Sequence, residues 1–256
     1  MKRGVCALSR IYPRRGFFTV NLRLAALIFL TASTSVFAQA VPIAQRTIPS
    51  DQEFDSGSRI QIKTGDLPAY FEKAKATKGL IVDIRNYPSE FVPLALGAYF
   101  AIRPTSFAVF TTGDFSNPGA FHFIPGPLIE PGPVHYEGRV VILVDETTQS
   151  QAEYTAMALR AMPNALVMGS TTAGADGDVS LIPLPGGLST MISGLGVFYP
   201  NHWPTQRAGI IPDVTVRPTV QGVAAGRDDV LETAIHFIET GTDGHKTRPA
   251  TDQSSK

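Results

Sequence analysis

Ser150-Gln151-Ala152-Glu153 follows a short polar turn, which itself follows five consecutive apolar residues, 140–144. A serine where strand, turn and helix meet sits among converging backbone N–H groups at the positive end of a helix. That setting stabilises an alkoxide or an oxyanion, so nucleophilic chemistry is one reading. The capping box is the other: the serine hydroxyl accepts from the N–H of Glu153, and the glutamate reaches back to the serine N–H. Both readings rest on the same four residues.

The elements that must position this serine are legible around it. The β-branched run 140–144 reads as a strand buried on both faces, and residues 151–160 carry apolar spacing of a helix. With a strand at 165–169 they make one βαβ unit. Upstream, residues 67–78 read as a helix with Asp66 as N-cap, closed by Gly79, and residues 80–84 as a second buried strand. Residues 91–102 read as a helix, 107–112 as a strand, and the Pro- and Gly-rich stretch 113–138 as a surface excursion. Residues 188–199 read as an edge strand or hairpin, 214–218 as a short strand, and 228–240 as an amphipathic helix capped by Gly241. The fold class expected is α/β.

Four stretches in this order carry a resemblance. Gly79-Leu80-Ile81-Val82-Asp83-Ile84-Arg85-Asn86-Tyr87-Pro88 comes first, and the strand ending at Asp145-Glu146 with Ser150 follows. Then come Gly169-Ser170-Thr171-Thr172-Ala173-Gly174 with Pro183-Leu184-Pro185-Gly186-Gly187, and Gly209-Ile210-Ile211-Pro212-Asp213. Over roughly residues 75–240 the chain resembles the C-terminal processing (tail-specific) peptidases and their tricorn-type relatives. The resemblance implies a crotonase-like (ClpP-like) ββα superhelix core, a polypeptide substrate, no cofactor and no metal. It also implies Ser150 as nucleophile and an oxyanion hole from the N–H groups of Gln151 and Ser89.

The chain departs from that family in two places. A lysine base is expected where Ala175 stands, and no lysine lies between Lys78 and Lys246. Tricorn-type relatives use a histidine, for which His122 and His202 are the candidates here; the base stays unassigned. Ser89 stands where the family has glycine. Asp83 and Arg85 read as holding the loop before Ser89, and Glu153 as a cap. Asp176 and Asp178 on a glycine-rich turn fall far short of calcium-loop spacing.

The chain ends and the composition set the context. Lys2, Arg3, Arg10, Arg14, Arg15 and Arg23 precede the apolar stretch 24–36, and small-residue cleavage sites end at Ala38 or Ala40. Residues 1–40 therefore read as a cleaved export signal, Sec or twin-arginine, and the mature chain as periplasmic or secreted. The apolar stretch is shorter than the roughly 20 residues that span a bilayer. Cys6, the one cysteine, lies in the signal, which excludes disulfides and thiolate chemistry from the mature chain. Lysines plus arginines equal acidic residues at 22 each, so nothing points to nucleic acid or, after signal cleavage, to a membrane surface. Residues 41–58 read as a loose arm, 59–241 as the peptidase-like domain and 242–256 as a disordered tail. The family's larger members carry a further domain ahead of the strand at 80–84. A signal and a short arm hold that place here, so an apolar patch near Tyr87, Phe91 and Phe121 and self-association are expected.

Overall fold

Side-chain alternation along Arg139–Val144 decides the layering. Val140, Ile142 and Val144 pack into one core with Leu80, Val82 and Val167, while Val141 and Leu143 pack into a second with Ile81, Met168 and Val214. Successive strand residues point to opposite faces, so a continuous apolar run fits only a strand covered on both sides. The computed structural model describes residues 5–8, 63–88 and 90–242. The arm at 41–58, the tail from 243 and all of the expected signal except 5–8 lie outside them.

The main sheet has five parallel strands: β1 (Val5–Leu8), β2 (Gly79–Asp83), β7 (Arg139–Val144), β8 (Ala165–Gly169) and β11 (Val214–Thr215), in the order β1-β2-β7-β8-β11. The backbone of Val5–Leu8, within the stretch read as a signal, occupies the slot beside β2. One face is covered by α1 (Leu67–Ala74), α2 (Pro93–Gly97) and α3 (Gln151–Arg160), the other by α5 (Asp229–Thr240) through Val230, Ala234 and Ile238. A short α4 (Val220–Ala224) precedes α5. A second, antiparallel sheet has the order β5-β4-β10-β9, from β4 (Val109–Gly113), β5 (Phe121–Pro125), β9 (Gly177–Leu184) and β10 (Leu188–Phe198). A two-stranded ribbon pairs β3 (Thr105–Ser106) with β6 (Leu128–Ile129). No helix among the described residues is long and apolar enough to cross a membrane.

The βαβ unit around Ser150 stands where the sequence puts it, and α5 has Asp228 as N-cap, accepting from the Leu231 N–H, and Gly241 as left-handed C-cap. Other expectations need correction. The helix expected over 91–102 shrinks to Pro93–Gly97, since Pro93 supplies no N–H and fixes the start of the turn. Asp66 stands at the N-cap position of α1 as expected, but its side chain makes no capping hydrogen bond: it ends a 3-10 turn, Thr64–Asp66, with helical dihedrals of its own. The excursion 113–138 contains β5 and β6, and the alternation Phe121, Phe123 was its readable signal.

Candidate active site

Parallel strands put all their C-terminal ends on one edge, where ligands of open α/β sheets bind. Because β7 lies between β2 and β8, the loops after these three strands meet there. Ser150 lies at the centre of the three.

The turn from β7 to α3 is built by Asp145. Its Oδ1 accepts from the N–H groups of Thr147 and Thr148 at 2.9 and 3.1 Å, and its own N–H donates to the Thr148 hydroxyl at 3.0 Å. The turn delivers Ser150 with φ 53 and ψ −124, dihedrals that glycine favours. Ser150 is half-buried. The capping box is outlined, but only its second contact reaches hydrogen-bond geometry: the Glu153 Oε2 accepts from the Ser150 N–H at 3.0 Å. Gln151 is the first helical residue, so its N–H has no carbonyl one turn back to receive it.

Glu153 does more than cap. It is completely buried, and its carboxylate gathers four donors from two segments. Oε2 also accepts from the Ala175 N–H at 2.9 Å, and Oε1 accepts from the Gly174 N–H at 2.8 Å and from the Thr172 hydroxyl. Two donors on one oxygen bring the amides of Ser150 and Ala175 within about 6 Å. The Ala173 N–H donates to the Thr148 carbonyl at 2.9 Å, a second tie between the loops.

The loop after β2 is held from below by Arg85, whose guanidinium donates to both Asp83 and Asp228. It is held from the side by the Gln151 amide, which donates to the Glu90 carbonyl at 2.5 Å. Asp83 and Arg85 thus do what the sequence suggested. Ser89 itself lies outside the described residues.

Asp176, the next residue after Ala175, is buried with Oδ2 lacking any hydrogen-bond partner among the described residues. Burial pushes its carboxyl up to about 7; the neighbouring Glu153 charge adds to the effect and a hydrogen bond from Thr205 opposes it. Asp178 is exposed on β9. No group of histidines, cysteines and carboxylates able to hold a metal occurs among the described residues.

The family model of peptidase family S41 matches residues 52–216, well over half of the chain. The chain belongs to peptidase family S41. Family S41 is a family of peptidases. Solved structures of similar fold include a candidate peptidase from Parabacteroides merdae, with TM-score 0.64 and 24% identity over 73% of this chain and 60% of that one. Mature CPAF gives 0.60 and 17% identity over 74% and 49%, and a candidate S41 protease from Bacteroides fragilis 0.51 and 14% over 70% and 49%. At these identities the likeness is one of fold. This S41 chain spans about half to three-fifths of their length. No match is found among curated proteins.

Seen as an S41 member, the chain has the turn 172–176 beside Ser150, with Ala175 at the position matched to the family lysine. His122 is exposed on β5, 3.4 Å from Asp114. His202 stacks on Phe123 with ring centroids 4.0 Å apart, at a left-handed φ of 66. Neither makes a hydrogen bond to Ser150. What sequence reasoning missed is the reach of Glu153 to the turn 172–175 and the burial of Asp176. The Ser-x-x-Glu pattern pointed to a local cap, with no mark for the distant donors.

Two predictions follow from this geometry. In Glu153→Gln the amide NH2 must face either the Ser150 and Ala175 amides or the Gly174 amide with Thr172. The Thr172 hydroxyl already accepts from Ile210 N–H at 2.7 Å, so at least one donor meets a donor. Equilibrium unfolding should show a loss of about 3 kcal/mol; an unchanged midpoint would contradict the network. For Asp176 the folded form holds its proton up to about pH 7 and the unfolded form only up to about 4, so stability on this account falls as pH rises through that window. Asp176→Asn should flatten the slope between pH 4 and 7 and be more stable than the wild type at pH 8, by about 2 kcal/mol. Parallel pH curves for the two proteins would refute the assignment.

Proposed function

We propose that this chain is an exported serine peptidase in which the Ser150 hydroxyl attacks a peptide carbonyl. The carbonyl carbon bonds to Oγ, the hydroxyl proton passes to a base and then to the leaving amine, and water hydrolyses the acyl-enzyme. The Gln151 N–H, free at the first turn of α3, receives the developing oxyanion, with the Ser89 N–H as its proposed second donor. The single observation that carries the reading is the Ser150 backbone. A non-glycine residue is kept in a glycine-type conformation, between a turn fixed by Asp145 and a helix fixed by Glu153. A simple helix cap needs no such conformation, since caps are usually extended.

The rest of the reading comes from family membership and the N-terminal sequence. The parallel sheet with helices on both faces is taken as the crotonase-like core. Residues 1–40 are the export signal, 59–241 the peptidase-like domain, and the mature chain works in the periplasm or outside the cell. Self-association belongs to the proposal: Tyr87, Phe91 and Phe121 are 60, 58 and 60% exposed. Ala175 favours a second reading, a family member that binds peptide through the same edge without cleaving it, because a missing base costs orders of magnitude in rate.

Fluorophosphonate labelling separates the two. The peptidase should label in the wild type and lose labelling in both Ser150→Ala and Ser150→Gly, with Ser150→Gly alone gaining about 1 kcal/mol of stability from relieved backbone strain. A folded wild type that does not label would leave the peptide-binding reading standing. N-terminal sequencing of exported chain should begin at Gln39 or Val41; an intact Met1 would remove the export claim.

A further inference from the structure

The hairpin β9–β10 leaves the body of the molecule and stands in solvent over most of its length. On β10 the pairing to β4 involves Val197 and Phe198, so residues 188–193 have β9 as their partner strand among the described residues. Residues 178–194 are all exposed. The register puts Leu181 opposite Met191 on one face, with Val179 beside them. Leu184 opposite Leu188 lies on the other face, with Ile182 and Ile192.

Such an arm is poorly suited to water. A two-stranded hairpin without a packed face is marginally stable at best. Exposed strands are usually protected by charge, lysine above all, yet between Gly177 and Phe198 Asp178 is the one charged residue. The seven apolar side chains just described are 38–67% exposed. Over the two faces together they present roughly 600 Å² of apolar surface, about 300 Å² on each, within the few hundred Å² at which an exposed patch marks an interaction site.

We propose that this arm is the surface through which two copies of the chain associate, each arm packing against the other copy. The inference deepens the self-association reading and relocates it from the Tyr87–Phe121 side to the hairpin. Three observations favour a second copy over other occupants. Apolar side chains occupy both faces, whereas an extended peptide added to an edge covers main-chain groups and leaves both faces wet. Burying both faces of both arms removes about 1,200 Å² from water, the lower bound of a standard stable interface. A patch without charge is self-complementary, as an isologous two-fold contact requires. The root of the arm is Gly177, which directly follows Asp176 and the turn tied to Glu153. Association would therefore steady the turn beside Ser150; this consequence, unlike the interface, rests on the peptidase reading.

Size-exclusion chromatography with light scattering on the full chain at about 50 µM, above the dissociation constant of a micromolar dimer, tests the proposal. The wild type should have twice the chain mass, and Leu181→Asp with Met191→Asp should halve it while retaining the far-ultraviolet circular dichroism of the wild type. Should that variant not fold, Met191→Cys in a Cys6→Ser background is the alternative. A bismaleimide should then capture most of the protein as a covalent dimer, and far less with Ser116→Cys on an exposed loop. A monomeric wild type overturns both this inference and self-association. A dimer that survives the arm variant, or links equally well at Ser116→Cys, overturns the arm alone. Fluorophosphonate labelling reports on the peptidase reading independently of either result.

Discussion

A buried carboxylate without a cation must be held by donors, or it will take up a proton. Glu153 meets that demand with four donors drawn from the start of its own helix and from a turn beyond the next strand. Desolvation thus becomes a constraint on the whole edge of the sheet. The two segments can meet the charge together but not apart, so the Ser150 elbow and the turn 172–175 are positioned as one unit. The Thr172 hydroxyl extends the unit to Ile210 in the Gly-Ile-Ile-Pro-Asp segment. There Asp213 receives the Val167 N–H at 2.8 Å and the Arg160 guanidinium, tying the end of α3 to β8.

The same charge explains its neighbour. Asp176 lies next to a carboxylate already supplied with donors, and burial together with that neighbouring charge pushes its carboxyl up to about 7. The Glu153 carboxylate is saturated with donors, whereas the Asp176 Oδ2 has no hydrogen-bond partner among the described residues. The β9–β10 arm begins one residue further on.

How much could be read in advance depended on where the forces act. Local forces were legible. The run 140–144 could be nothing but a doubly buried strand, and Gly241 marked the end of α5 before any contact was known. The role of Arg85 followed from its place beside Asp83. Long-range effects were not legible. The strand β9 was hidden by Pro183 and the Pro185-Gly186-Gly187 turn, and because it is exposed on both sides its side chains lack the alternation that marks a half-buried strand. Glu153 reads as a local cap because its other donors, two backbone amides and the Thr172 hydroxyl, lie some twenty residues away, and no local pattern marks them. The short α2 shows the converse: an apolar stretch with helical spacing was cut down by one proline and by the aromatic core around Phe100 and Tyr136.

Native-state hydrogen exchange at Ser150, Gly174 and Ala175 tests the central claim most directly, since all three amides donate to the Glu153 carboxylate. The account predicts that they exchange through one shared opening, with equal protection that rises and falls together as denaturant is added. Fast exchange at Gly174 and Ala175 while Ser150 stays protected would contradict it, because the turn would then move independently of the serine it is said to hold.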